Sequence, residues 1–400
     1  MQSRDVRQRT GTFGFMTGQI RRKDGLTAME PCVEKARCCG CMACVDACPH
    51  EAVAVRRDSE GFPYPEIRQE LCTKCNRCQA VCPMPEKAFE AEYRRCFAVQ
   101  AKDVGLRAAG SSGGVFPVLA EYVLEHGGVV YGAGFDTSMR VIHQKAASCA
   151  ELSRLTQSKY VQSDTEGVFR SVQQELGLGK QVLFVGTPCQ AEALRRFLPR
   201  NAPNLLLVDL ICYGVPSPGV WERYAAYLEK KHHGRLTEFH FRDKQLCNNG
   251  RTVCYKIDGK EYFETLSENL FTSIYFSNYA LRPSCHVCPF TTAVRGSDIT
   301  IGDFWEVETR LPQMDDGMGT SSVILHSETG NRMWDLIQDR FRYVECCEEQ
   351  VMQPRLLFPT PPSSKRRLFF ALYQGFPFFM LAEGMRMWKK ARRYFHYKKR

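Results

Sequence analysis

The sequence predicts a small α+β module stabilised by metal, followed by a larger α/β body and a helical C-terminal tail. Three observations carry that reading. An uncommon cysteine spacing occurs twice within residues 38–83. From residue 95 onward, short apolar runs alternate with amphipathic stretches, the pattern of strands interleaved with helices. The last fifty residues turn basic and aromatic. Boundaries follow at 1–30 for a polar arm, 31–90 for the module, 95–180 and 181–350 for two regions of the body, and 351–400 for the tail.

The module is defined by Cys38, Cys41, Cys44 and Cys48 in C-x2-C-x2-C-x3-C spacing with Pro49 following, and by Cys72, Cys75, Cys78 and Cys82 in the same spacing with Pro83. Thiolates so spaced place three sulfurs of a run around one iron-sulfur cube, while the fourth reaches the other cube. Zinc needs only paired knuckles and has no use for the third and fourth cysteines. Disulfides need an oxidising compartment, and residues 1–30 show no apolar signal-peptide core, so a cytoplasmic protein is expected. Two 4Fe-4S clusters follow, and the stretch resembles a bacterial-type dicluster ferredoxin domain. Cys39 is a spare thiol. Glu51 to Arg57 and Gly61 to Pro65 supply the short strands and turns of such a fold, whose stability comes largely from its metal. The acid-rich segment Pro85 to Glu92 reads as a linker.

In the body, Phe97–Ala101 is an apolar strand, and Gly110-Ser111-Ser112-Gly113-Gly114 opens an amphipathic helix that ends at Gly127-Gly128. Strands are expected at Val129–Tyr131 and Arg140–His143, a helix over Asp164–Leu176, a strand at Gln181–Val185 and a helix over Ala191–Phe197. The near-continuous apolar run Leu205–Ile211 reads as a buried strand. Pro218–Lys231 is a helix capped by Ser217. Later strands are expected at Phe239–Arg242, Thr252–Ile257, Asp298–Gly302 and Ser322–His326.

The formal charge of +10 lies in the tail. Residues 351–400 hold twelve Lys and Arg against Glu383 alone, a charge of +11, so the preceding 350 residues carry −1. A neutral body with a basic tail is not the footprint of nucleic-acid binding. The tail's uncharged run is fifteen residues and contains Pro377, too short and too interrupted to span a bilayer. It reads as a helical pair packed on the body, or as a basic amphipathic anchor resting on an acidic membrane or partner.

Four further cysteines sit beside turn-forming residues: Cys189 in GTPCQ, Cys212 in ICYGVPS, and Cys285 with Cys288 in CHVCPF. Cys189 and Cys212 each follow a predicted strand, at the end where open α/β sheets place ligands. A third 4Fe-4S cluster and a fate as small buried residues both suit that spacing. The Gly110–Gly114 loop would suit a phosphate, or simply cap a helix with closely packed glycines. Neither G-x-G-x-x-G nor a P-loop lysine is present, so a standard Rossmann nicotinamide site or an NTPase is not indicated. Ser158-Lys159-Tyr160-Val161-Gln162-Ser163, and the segment from Arg295 through Asp303 to Trp305, read as ordinary loop ends or as contacts to a flavin. Cys32, Cys96, Cys149, Cys247, Cys254, Cys346 and Cys347 carry no assigned role.

GSSGGVF, SKYVQS, GTPCQ, ICYGVPSP, FRDK, CHVCPF and RGSDITIGDFW occur in this order. Together they resemble the family of coenzyme F420 hydrogenase/dehydrogenase beta subunits over roughly residues 96–345. Tyr213 stands where that family more often has His, and the basic tail lies outside the likeness. The resemblance implies an iron-sulfur flavoprotein with a flavin-binding region over 95–180 and a third-cluster region over 181–350. It implies FAD contacts from Gly110, Ser111, Ser112, Gly113, Gly114, Ser158, Lys159, Tyr160, Gln162, Arg295 and Asp303. It also implies a third cluster on Cys189, Cys212, Cys285 and Cys288. The expected activity is oxidoreduction, relaying electrons between an external one-electron partner, such as ferredoxin or a catalytic redox subunit, and a small-molecule two-electron acceptor. No residue is required as a catalytic acid or base. The alternatives are an electron-transfer subunit with no substrate site of its own, and a membrane-surface protein whose clusters are structural.

Overall fold

The computed structural model describes residues 33–84, 94–199, 202–244, 251–381 and 384–385. The arm, the whole Pro85–Glu92 segment, Cys32, Cys247 and the last fifteen residues lie outside them. In the module, β1 (Val53–Arg57) pairs antiparallel with β2 (Pro63–Ile67), and two short helices, Ala43–Asp46 and Arg77–Ala80, follow the second cysteine of each run. The hairpin turn is set by Asp58, whose Oδ1 accepts from the backbone N–H groups of Glu60 (3.0 Å) and Phe62 (2.9 Å). Gly61 in this turn has φ +83°, and a Cβ there would stand 2.7 Å from the Gly219 Cα. Only glycine lets the hairpin approach the body so closely.

The body contains β3 (Arg95–Ala101), β4 (Val129–Phe135), β5 (Val141–Ala146), β6 (Val182–Gly186), β7 (Leu205–Leu210), β8 (Leu236–Asp243), β9 (Thr252–Ile257), β10 (Lys260–Thr265), β11 (Ile299–Asp303), β12 (Ser321–Leu325) and β13 (Phe341–Cys346). Eight of these form one mixed sheet in the order β13-β3-β12-β11-β7-β6-β4-β5, and β8, β9 and β10 form a separate antiparallel sheet. The pairs β4–β6, β6–β7 and β7–β11 are parallel, flanked by antiparallel partners. Strand β6 is buried at all five residues, as expected for a strand covered on both faces. One face packs on the helices Val115–Glu125 and Glu328–Ile337, with Trp334 stacked 4.4 Å from Phe97. The other carries the helices Val168–Gly177 and Pro188–Phe197, and against these lie Cys39, Cys41, Ala43, Val81 and Cys82 of the module.

The α/β reading of the body holds, with physically explicable differences. The helix expected from Asp164 begins at Val168, because Gly167 adopts φ +78° at its N-cap. Strands β10 and β13 were not expected. Both are edge strands exposed along much of their length, so neither shows an apolar run. In the tail, the helix Arg366–Gly375 buries Phe369, Phe370 and Tyr373 against the three-stranded sheet and the helix Pro218–His232, where Phe62 of the module also inserts. Arg366 pairs with Glu60 and donates to the Leu281 carbonyl, so this part of the tail straps module to body.

The module is also held through Asp46. Its carboxylate accepts from Gly167 N (2.7 Å) and Phe169 N (3.0 Å), capping the helix Val168–Gly177 from another part of the chain. Asp46→Ala would leave both donors buried and unpaired, a cost of about 1–3 kcal/mol. Chemical denaturation of the cofactor-loaded protein checks this, and an unchanged midpoint would count against the capping role.

Candidate electron-transfer site

The two cysteine runs wind alike. Gly40 and Lys74, two residues after the first cysteine of each run, have φ +68° and +57°, and Met42 and Asn76, one after the second, have φ +56° and +59°. This left-handed repeat turns successive N–H groups inward as a nest for negative charge. Backbone N–H groups of Gly40, Ala43 and Arg77 accordingly bond to Cys38, Cys41 and Cys75. Cys48 falls in one apolar cluster with Cys44, Cys72 and Cys78, and Cys82 in another with Cys39 and Cys41, which places the fourth cysteine of each run beside thiols of the other run, as the doubled spacing predicts. The runs differ in exposure: the first is buried against the body, whereas Cys75 is exposed.

The far set converges from three elements. Cys189 is the second residue of the helix that follows β6, Cys212 follows β7, and Cys285 and Cys288 belong to the turn Pro283–Val287 and its end. The parallel strands therefore deliver them to one edge of the sheet. Burial and, next, the other thiols of the set together push the Cys212 and Cys288 thiols up to about 12. Cys285 is raised by the same two causes. Cys189 is raised first by its contact with Cys39. The spare thiol thus lies at the contact of the first run with the far set, buried beside Cys41 and Cys189. Val215 N donates to Cys285 Sγ at 3.4 Å.

No three His, Cys, Asp or Glu side chains converge on a single-ion site among the described residues. Thiolates around a four-iron cube stand farther apart than the ligands of one ion, because the inorganic cage lies between them. The donors present fit such a cage: soft sulfurs, backbone N–H groups aimed at them, and little competing carboxylate.

The same sheet edge carries the Gly110–Gly114 loop. Gly113 N donates to Ser321 Oγ (2.9 Å), its carbonyl accepts from Ala101 N (2.7 Å), and Ser112 Oγ donates to the Thr320 carbonyl (2.8 Å). Ser158 closes on the loop through its N–H (2.8 Å) and hydroxyl (3.0 Å), both to Ser111 Oγ. Lys244 Nζ reaches the carbonyls of Ser112 (2.6 Å) and Arg107 (3.0 Å). Desolvation lowers Lys244 to about 8, helped by Arg107 and Arg242, and lowers Lys159 to about 7. The Lys159 ammonium donates to the Thr156 carbonyl and to that of Arg154 (3.2 Å). Arg107 forks onto Asp316 at 2.6 Å, and Arg242 pairs with Asp303 and donates to Tyr160. Neither Lys159 nor Lys244 has a carboxylate ion pair among the described residues, so their ammonium groups are desolvated without a counter-charge.

Two expected flavin contacts lie elsewhere. Gln162 Nε2 donates to the carbonyls of Cys39 (3.0 Å) and Gly40 (3.2 Å), fully engaged at the module's contact. Arg295 is buried on Asp209 at 3.1 Å and also donates to the Leu210 carbonyl, in the field of Cys212 and Cys288. A buried amide or guanidinium takes the partners that burial supplies, and sequence order does not reveal them. Tyr213 donates to Asn278 Oδ1 at 2.7 Å. Sequence reasoning gave no role to Lys244, Arg242, Asp46 or Arg282. The first two stand in the FRDK motif, and Arg282 lies three residues before Cys285, which were the available signals.

Twin cysteine runs built as a cluster-binding fold on an α/β body define an iron-sulfur electron-transfer protein of oxidoreductase type. Residues 37–85 match the 4Fe-4S dicluster domain, and residues 179–349 match the family described as the C terminus of the coenzyme F420 hydrogenase/dehydrogenase beta subunit. Residues 179–349 are thus similar to that family's C-terminal region, and the dicluster module stands in front of them. The F subunit of the F(420)H(2) dehydrogenase of Methanosarcina mazei is 22% identical over 331 residues, 77% of this chain and 84% of that protein. The VorC subunit of the ketoisovalerate oxidoreductase of Methanothermobacter marburgensis is 31% identical over 68 residues, 16% of this chain and 85% of that protein. A chain of the F420-reducing NiFe hydrogenase complex of Methanosarcina barkeri aligns with TM-score 0.43 and 17% identity, over 73% of this chain and 91% of that chain. No helix among the described residues is long and apolar enough to cross a membrane.

Proposed function

We propose that the chain is an iron-sulfur flavoprotein that relays electrons between its ferredoxin-type clusters and FAD, and on to coenzyme F420 or another two-electron acceptor. The carrying observation is that Cys189, Cys212, Cys285 and Cys288 gather at the sheet edge that also bears the Gly110–Gly114 loop, with Cys39 of the module against Cys189. When bound, clusters move electrons singly and a flavin collects two for hydride transfer. Cys38, Cys41, Cys44 and Cys82 would hold the inner cube and Cys48, Cys72, Cys75 and Cys78 the solvent-facing one. The far set would hold a third. The exposure of Cys75 supports exchange with an external one-electron partner there. Both curated relatives are named as subunits, which favours a catalytic redox partner for this chain.

On the flavin side, Ser111, Ser158 and the backbone of Gly110–Gly114 would bind phosphate oxygens, with Lys159 and Lys244 matching the two negative charges of a pyrophosphate. Tyr160, stacked 4.9 Å from Tyr275, and Asp303 with Arg242 would border the rest of the ligand. Gln162 and Arg295 would instead fix the cysteine sets.

Native mass spectrometry of protein purified without oxygen tests this reading. Three cubes, about twelve irons, and one FAD are expected; two cubes without flavin would sink both the third cluster and the FAD site. Flavin retention should also depend on pH. An anionic ligand holds both lysines protonated, so binding takes up protons once the free groups begin to titrate, near 7 and 8. Affinity should be highest below pH 7 and about tenfold or more weaker at pH 9. Equilibrium dialysis against FAD reads this, and a flat profile would remove the two lysines from the site.

A further inference from the structure

Arg282 has no exposed surface, and none of its acceptors is a carboxylate. Its Nε donates to the Cys38 carbonyl (2.6 Å), one Nη to Gln162 Oε1 (3.0 Å), and the other to the Pro63 carbonyl (3.0 Å) while reaching Cys38 Sγ at 3.8 Å. The guanidinium lies over Tyr64 at 4.2 Å and Phe62 at 5.3 Å, which close it from water. Gly40 has no Cβ because one would stand 2.6 Å from an Arg282 nitrogen.

The position of this cation is specific. One of its Nη atoms lies 3.8 Å from Cys38 Sγ, in the first run, and its own carbonyl accepts from Cys285 N, in the far set, at 3.0 Å. The other buried guanidinium near the cysteines, Arg295, is neutralised by Asp209. Arg282 has no such partner among the described residues. An uncompensated buried cation is costly, so its counter-charge must come from the groups the cysteines hold. A cube held by four thiolates is anionic and becomes more so on reduction.

We propose that Arg282 is a positioning residue whose charge raises the reduction potential of the inner cube, the one held by Cys38, relative to the solvent-facing cube. Electrons delivered at the exposed run are thereby drawn inward, toward the far set. The inference rests on the cluster assignments proposed above. Hydrogen bonds and charges near the sulfurs are among the factors that set such potentials.

The test uses full-length, cluster-loaded protein with Arg282→Gln, which removes the charge, and Arg282→Lys, which keeps it but lacks the fork. Iron is counted first, and each cube is then titrated by electron paramagnetic resonance at set potentials. With Arg282→Gln, the reduction equilibrium constant of the inner cube should fall at least tenfold, which is 59 mV for one electron, while the solvent-facing cube stays unchanged. Arg282→Lys should keep the wild-type value within about threefold. An unshifted inner cube in Arg282→Gln overturns the proposal, as does a shift of equal size in Arg282→Lys. If Arg282→Gln loses the inner cube, loss in Arg282→Lys as well, or retention with a shifted potential, makes the fork purely structural and overturns it. Retention in Arg282→Lys with the wild-type potential supports the need for charge. Wild-type protein lacking the inner cube would instead refute the cluster assignment itself, and its iron count shows this before any variant is compared.

Discussion

Replacing Cys285 with alanine is expected to remove one cube and leave two, lowering iron from about twelve to about eight per chain, and to stop reduction of the flavin by a one-electron donor. The residue has no substitute: Cys189 and Cys212 come from other elements, Cys288 of the same turn is already counted in the set, and a buried cube lacking one ligand is open to loss. The signals of the twin runs should persist, because Cys285 contributes nothing to them. Cys347→Ala provides the contrast, since that thiol is exposed beside Gln350 at the start of a short helix, and its iron content should match wild type. Iron and flavin reduction both unchanged in Cys285→Ala would withdraw the far set from the relay.

Gly113→Ala should have the next largest effect. A Cβ there would stand 2.1 Å from the Val99 carbonyl oxygen and 2.7 Å from Ser321 N, both backbone atoms of the central sheet. Neither can step aside as the end of a side chain can, so the loop must lift from β3 and β12. The bonds from Ala101 N and to Ser321 Oγ are lost with it. A cost of about 3 kcal/mol or more is expected, with FAD affinity falling at least as steeply as the loop moves. Gly177→Ala is the control, because nothing lies within 4 Å of a Cβ there and the residue ends a helix. That change should be neutral or stabilising by up to about 1 kcal/mol. Thermal unfolding of both variants, followed by flavin dialysis, separates strain in the loop from a general intolerance of added bulk.

Legibility differed sharply from residue to residue. The twin runs could be read directly because metal ligation imposes a spacing that few other demands imitate. Strand β9, expected at Thr252–Ile257, occurs over those residues, and the Ser217 cap accepts from Val220 N as anticipated. Edge strands β10 and β13 escaped notice because half-exposed strands need no continuous apolar run. The charge of the tail was legible, but not that Arg366 would turn onto Glu60.

What the sequence determined by itself was therefore local: which thiols belong to a run, which segments are strands or helices, and which motifs travel together. Those properties depend on spacing and periodicity along the chain. What only the tertiary structure decided was juxtaposition. It set Gln162 against the Cys39 and Gly40 carbonyls instead of the Gly110–Gly114 loop, closed Arg295 on Asp209, and brought Arg282 to Cys38 from 244 residues away. The physical reason is desolvation. A polar side chain carried into the interior must take whatever partners the packing of distant elements provides, and that packing is settled by the whole fold.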